Sequence, residues 1–358
     1  MSIVYFPGAN TPRGFFNRFS AVMADPRVRR RIYLKGGPGC GKSTLMRRLA
    51  KTAADLEADC ELGLCSSDPD SLDTLLIEQA GLAVCDATPP HAAEPPLCGS
   101  DGVYLDLGRF YDAAALAPMR EELGQLQAEN QACYRRVRQA LRAVQALYRL
   151  REELVDQGAA ADRLTAAAGM LLTPLLRGGR GQGMLRELFF TGVTPSGCIS
   201  RYGMFQSAAT IYLLLDSCHL SGTYLQEITR LALDAGQNVI AGYSPLDPDG
   251  GPAQLYLPQL ATAFIRQSSH FACDLVGTTP LDLDALVQIS PAASRQAGYL
   301  RQMMTRLLAE AVPELQEAKA LHDAIERRMH PHVDFKGVTA ASEACCRQLE
   351  QWLEHPMA

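Results

Sequence analysis

A chain of 358 residues, 47% hydrophobic and 20% charged, has the composition of an ordinary globular protein and room for about two domains with buried cores. Its net charge of −5 gives no general electrostatic reason to expect a nucleic-acid partner, although a local basic face stays open. No stretch approaches the roughly 18 uninterrupted apolar residues of a membrane-spanning helix, so no membrane partner is expected.

The start, Met1 to Pro7, carries neither a basic region nor an apolar one of the kind that directs secretion, so a cytoplasmic location is expected. The eleven cysteines are an odd number, scattered, with no Cys-x-x-Cys pair, which reads as reduced and mostly buried thiols. Neither a disulfide framework nor a zinc site follows from them.

In chain order, Ile3 to Phe6 reads as a strand, Pro7 to Gly14 as a turn-rich loop, and Phe15 to Met23 as a short helix ended by Asp25-Pro26. Arg27, Arg29, Arg30 and Arg31 then form a basic cluster, by default a solvated edge, with a phosphate contact as the functional alternative. The apolar strand Ile32-Tyr33-Leu34 runs into Gly36-Gly37-Pro38-Gly39-Cys40-Gly41-Lys42-Ser43-Thr44 and then into an amphipathic helix. Glycine, four residues, then Gly41-Lys42-Ser43 is the spacing of a phosphate-binding loop. The glycines let successive N–H groups face an anion, Lys42 reaches the terminal phosphates, Ser43 holds Mg²⁺, and the helix dipole points the same way. A ligand-free glycine turn is the bland alternative, and the strand before and helix after argue against it. Cys40 is read as a small filler, with oxidation sensitivity as the sharper option.

The helix is expected to reach about Leu56, and Cys60 to Ser66 reads as a strand whose exit carries Asp68-Pro69-Asp70-Ser71-Leu72-Asp73. These acids stand where α/β sheets gather ligands; they equally make a turn and a helix N-cap. Leu82-Ala83-Val84-Cys85-Asp86 is an apolar strand ending in an acid, so Asp86 is the candidate partner of Ser43 in holding Mg²⁺, and with Lys42 the candidate catalytic pair. Thr88-Pro89-Pro90-His91 at its exit can position a water, although His91 alone reads as an ordinary loop residue.

From Ala113 to about Leu176 apolar residues recur every three or four, predicting a long helical hairpin bent at Gln157-Gly158. Its arginines, Arg135, Arg136, Arg138, Arg142, Arg149 and Arg151, read as a solvated face or a docking arm for an acidic partner. Arg177 to Gly183 reads as a linker. Beyond it the chain repeats itself: Phe190 to Gly197 echoes Phe6 to Gly14, Ile211-Tyr212-Leu213-Leu214 echoes Ile32-Tyr33-Leu34, and Asp247-Pro248-Asp249 echoes Asp68-Pro69-Asp70, each about 180 positions on. The predicted organisation is therefore α/β, two tandem lobes with parallel sheets flanked by helices, 1–180 and 184–358, each with a long helical hairpin or arm (about 113–176 and 296–328). Where the first lobe has its glycine loop the second reads Asp216-Ser217-Cys218-His219-Leu220-Ser221-Gly222-Thr223, without lysine, and Arg266 falls near the counterpart of Asp86. The second lobe is thus expected not to bind Mg²⁺-nucleotide in the usual way. On the late helix, His322 and Glu326 share a face and read as a surface pair before a metal site.

Together, the tandem lobes, the Gly36–Thr44 loop, Asp68 to Asp73, Thr88 to His91 and the segment from Leu321-His322-Asp323 to Val333-Asp334-Phe335 resemble an uncharacterised family of bacterial tandem P-loop ATPases. The resemblance implies ATP and Mg²⁺ as ligands and ATP hydrolysis as the activity, but names no physiological protein or small-molecule partner. Members can carry a glycine-lysine loop in the second lobe too, and this chain departs from that. A small-molecule or nucleotide kinase, with its acceptor near Asp68 to Asp73, and a nucleotide-responsive binding module are the other expectations. No guanine-reading motif is present, so ATP is favoured over GTP.

Overall fold

The computed structural model describes residues 3–91, 93–176 and 182–355. The chain opens with β1 (Ile3–Tyr5), the hairpin β2 (Gly8–Thr11) and β3 (Gly14–Asn17), and α1 (Phe19–Met23). Phe15 to Asn17 are therefore strand, not the start of a helix. Next come β4 (Arg30–Lys35), α2 (Lys42–Asp55), β5 (Cys60–Leu64), β6 (Leu72–Ile77), β7 (Leu82–Asp86), β8 (Val103–Asp106), α3 (Ala113–Leu116) and α4 (Arg120–Glu152). The remainder is α5 (Gln157–Leu172), β9 (Leu185–Leu188), β10 (Thr191–Thr194), β11 (Gly197–Ser200), β12 (Thr210–Leu215), α6 (Ser221–Asp234), β13 (Val239–Gly242), β14 (Gln254–Leu257), β15 (Thr262–Arg266), β16 (Thr278–Asp282), α7 (Leu283–Val287), α8 (Pro291–Met329) and α9 (Phe335–Glu354). Of the expected linker, Arg177 to Gly181 lie outside the described residues.

The fold is α/β with two six-stranded sheets. The first has the order β1-β5-β6-β7-β4-β8 and the second β9-β13-β14-β15-β12-β16. Every pair in one sheet has the sense of the corresponding pair in the other. β6 runs antiparallel to both β5 and β7, and β14 to both β13 and β15, while the remaining neighbours are parallel. The sheets are mixed where parallel ones were expected, and loop length gives the reason. A parallel partner needs a crossover of about a dozen residues or more, whereas only 65–71 separate β5 from β6 and only 78–81 separate β6 from β7. For the same reason Asp68-Pro69-Asp70-Ser71 is a turn into β6, not a helix cap.

Two compact units emerge, and neither is continuous in sequence: residues 1–8, 17–136 and 313–358 form the first, residues 9–16 and 137–312 the second. Their limits differ from the expected halves because the hairpin residues 9–16 join the second unit and the end of the chain returns to the first. Both internal limits fall within long helices, α4 and α8, and Pro313 of α8 lacks the N–H that would bond the preceding turn.

In the first unit, β4 lies inside the sheet between β7 and the edge strand β8, with Ile32, Tyr33 and Leu34 buried, as an interior strand requires. The face of α2 that repeats at helical spacing, Leu45, Met46, Leu49 and Ala53, is buried, and α2 packs on the sheet and on α9. Truncating Leu49 there would cost about 2–5 kcal/mol. The first part of α4 lies antiparallel to the end of α8: Glu122 pairs with Arg328 (2.7 Å), Asn130 donates to the Ala318 carbonyl (2.6 Å), and Arg136 pairs with Glu314 (2.7 Å).

In the second unit, Leu164, Ala168 and Leu172 of α5 join one core with Tyr224, Leu225 and Ile228 of α6. The expected hairpin is thus replaced: α5 begins behind an Asp156 N-cap, with Gly158 inside the helix, and packs on α6 and α7. Its small residues permit that close approach. The arginines of the end of α4 are bonded within the unit, although of these only Arg151 is buried. Arg142 donates to the Pro12 carbonyl, Arg149 pairs with Asp247 (2.8 Å), and Arg151 is 6% exposed.

Candidate functional site

The site of the first unit is the turn between β4 and α2. Gly36, Gly39 and Gly41 have φ of 142°, 72° and 93°, and Gly41 is the left-handed N-cap from which α2 starts at Lys42. A side chain at Gly36 would meet Cys40 Sγ at 2.5 Å, so the curl of the loop depends on glycine there. Cys40 is buried beneath the loop and burial pushes its thiol pKa up, the character of a filler and not of a reactive thiolate.

Lys42 is drawn back into this curl. Its Nζ donates to the carbonyls of Gly36 (2.6 Å) and Gly37 (2.9 Å) and lies 3.6 Å from Asp86 Oδ2, both side chains being 13% exposed. Parallel pairing of β4 with β7 places Leu34 beside Asp86 and so brings the two groups together. The other Asp86 oxygen accepts from the Thr88 N–H (2.8 Å), and the Thr88 hydroxyl donates to the Gly36 carbonyl (2.9 Å). Ser43 Oγ accepts from the Leu72 N–H (3.0 Å), tying the start of α2 to β6.

Asp73, the residue after Leu72, is 4% exposed, and burial pushes its carboxyl up to about 6, with the neighbouring Asp86 adding to the rise and His91 and Lys42 opposing it. His91 Nε2 lies 3.8 Å from Asp73 Oδ1 and its ring stacks on Phe19. Asp73, Asp86 and His91 each offer a ligand atom within 4.8 Å of the others, a cluster able to hold a cation. Of the acids at the β5 exit it is thus Asp73 that faces Asp86, while Asp68 approaches Lys319 (3.7 Å). The basic cluster is otherwise engaged. Arg27 pairs with Asp25, Glu61 and Glu78, Arg30 lies over Trp352, and Arg31 donates to the Met23 and Val28 carbonyls.

One neighbour of the loop has no warning in the spacing of the sequence. The Gly39 N–H donates to Glu326 Oε1 of α8 (2.9 Å), so a carboxylate is seated on a donor of the glycine curl. Its hydrogen bond with His322 holds the Glu326 carboxyl below its usual range, with the Gly39 N–H and Lys42 adding to this. The pair read from i, i+4 spacing exists, but its acid faces the loop. Tyr111, which no motif marks, donates to the Pro38 carbonyl (2.6 Å).

The corresponding turn of the second unit, between β12 and α6, is built differently. Asp216 supplies the anion itself: its two oxygens accept from the N–H groups of Leu220 and Ser221, 2.9 Å each. Burial would raise this carboxyl, but His219, those two N–H groups and Arg151 outweigh it and hold it below the usual range. His219 sits at φ 62° with Nε2 3.2 Å from Asp247; burial and the nearby Arg266 push its pKa down to about 4. Glu152, His219 and Asp247 are close enough to be considered as cation ligands, yet Arg149 already neutralises Asp247.

Strand, glycine curl and helix thus bring Lys42, Ser43 and Asp86 to one end of the first sheet, together with Asp73 and His91. No described helix is long and apolar enough to cross a membrane. Comparison of the chain with protein-family models, curated proteins and solved structures found no match.

Proposed function

We propose that the chain is a Mg²⁺-dependent nucleoside triphosphatase of the P-loop type, acting on ATP at the Gly36–Thr44 loop of its first unit, while the second unit has a structural or regulatory role. The observation that carries the reading is the meeting of Lys42 with Asp86 at the mouth of a curl of positive-φ glycines that opens a helix. In this reading the loop N–H groups and Lys42 stabilise charge on the phosphates, and Lys42 exchanges its two carbonyl partners for phosphate oxygens. Ser43 and Asp86, both oxygen donors of the kind Mg²⁺ prefers, would hold the ion, which supplies charge neutralisation between phosphates. Asp73 and His91 stand close enough to orient a water.

The test is calorimetric titration of ATP, GTP and non-hydrolysable analogues with Mg²⁺, beside phosphate-release assays. One equivalent of ATP should bind, and Lys42→Ala should abolish turnover; hydrolysis at an unchanged rate in that variant would refute the assignment. A second reading, a nucleotide-responsive binding module with little turnover, draws on Glu326, because any phosphate entering the curl has to displace a carboxylate carried by the long α8. It is distinguished by tight binding with negligible release of phosphate. A kinase reading would require phosphate transfer to an added acceptor.

A further inference from the structure

The second unit holds a cleft at the carboxyl ends of β12 and β15, with about 20 Å³ wide enough to admit the centre of a water molecule. That is room for one small group and not for a nucleotide. Three guanidiniums line it, those of Arg151, Arg266 and Arg301, against the single carboxylate of Asp216. Arg151 and Arg266 are 6% and 8% exposed. Such burial of like charges is costly unless something compensates them.

The internal compensation is incomplete. Arg151 donates to the Ser217 carbonyl (2.6 Å and 2.9 Å), and Asp216 has both oxygens on N–H groups of α6. Among the described residues Arg266 finds only the Nδ1 of His219 (3.0 Å) and the face of Tyr148. Among the described residues neither Arg266 nor Arg301 is in an ion pair. His270, also in the lining, has a buried Nε2 without a hydrogen-bond partner. Its ring is kept neutral by burial and by the three arginines, which push its pKa down to about 4. The cleft therefore presents two net positive charges, an orphaned polar atom, and space for a single oxyanion.

We propose that this cleft is an anion-binding site for a phosphoryl group, inorganic phosphate or a phosphomonoester, held by Arg266 and Arg301 with Arg151 behind them. Guanidinium forks suit tetrahedral oxyanions with several acceptor oxygens. The site borders the turn that Asp216 has closed to anions, so the second unit keeps an anion site but builds it from side chains in place of backbone.

The experiment titrates inorganic phosphate, in chloride buffer, into the Lys42→Ala chain, so that the glycine loop is weakened and any signal it still supplies is the part that Arg301→Gln leaves unchanged. One saturable equivalent should appear with a Kd below about 10 mM, and Arg301→Gln should weaken it by about tenfold or more. Arg301 is half-buried, so its replacement should leave the fold intact; circular dichroism and a phosphate-free melting curve check this. If that variant does not fold, Arg266→Lys, which keeps the charge and removes the fork, carries the same expectation. Phosphate should raise the melting temperature of Lys42→Ala and not that of the double variant. No saturation, an unchanged Kd in Arg301→Gln, or acetate binding as tightly as phosphate would each overturn the proposal.

Discussion

The turn after β4 and the turn after β12 occupy the same place in sheets of identical strand order, yet they satisfy their helix N-termini in opposite ways. At α2 positive-φ glycines shape the turn beside Lys42 and Asp86, and of its N–H groups that of Gly39 takes its acceptor from a distant helix. At α6 Asp216 caps those groups permanently. A set of backbone N–H donors and a carboxylate are complementary, so a single acid at the right position removes the need for a ligand and, with it, the capacity for one. Glu326 lies between the two cases. It is an acid on the curl, supplied from a distant helix and therefore displaceable.

The sharpest way to break this contrast is Lys42→Ala, expected to take turnover below detection, a loss of at least the roughly 10²–10³-fold that removing one charge-stabilising donor brings, measured by phosphate release. Glu326→Gln should act in the other direction, tightening triphosphate binding by about tenfold as the competing negative charge disappears; weaker binding by calorimetry would show that the carboxylate supports the loop instead of guarding it. Acidification should separate the units. The folded pKa of Asp73, about 6, exceeds its unfolded value, so the native state takes up the extra proton and this group adds stability as pH falls from 7 toward 4. His219 and His270, at about 4 when folded, lie below their unfolded value, so the unfolded state takes up the protons and stability is lost as pH falls through 6.5 toward 4. Each contributes on the order of 1–3 kcal/mol, and hydrogen exchange resolved by segment should show the second unit loosening relative to the first at pH 5. Equal protection changes in both would contradict the assignment. The smallest effect is expected from Asp216→Ala, about 1–2 kcal/mol of stability for a lost cap, read by denaturant melting, with no gain of ATP binding.

Much of the architecture was legible because it rests on local chemistry. The strand, glycine curl and helix follow from Ile32 to Leu49, and the echo at 180 positions foreshadows the matching strand orders. The antiparallel β6 and β14 were missed, although the short 65–71 and 78–81 connections carry that information. Asp73 and His91 were visible as candidates, but their approach to Asp86 depends on sheet register. The contact of Glu326 with Gly39 spans 287 positions, and that of Tyr111 with Pro38 spans 73, so no periodicity reports either. The burial of Arg151 and the pairing of the exposed Arg149 with the buried Asp247 were hidden for a related reason: a basic helix face looks the same in sequence whether water or protein groups receive it.

The interleaved membership of the two units bears on how the polypeptide matures. As the chain leaves the ribosome, the sheet beneath α2 is complete by Asp106, but Glu326, which meets the curl, and α9, which covers α2, are synthesised only after the whole of the second unit. The first unit thus waits for the second to be translated before it can close. A product halted near residue 312 would display the uncovered side of α2 to chaperones, and cutting the gene into its two sequence halves should yield fragments that fold only when co-expressed.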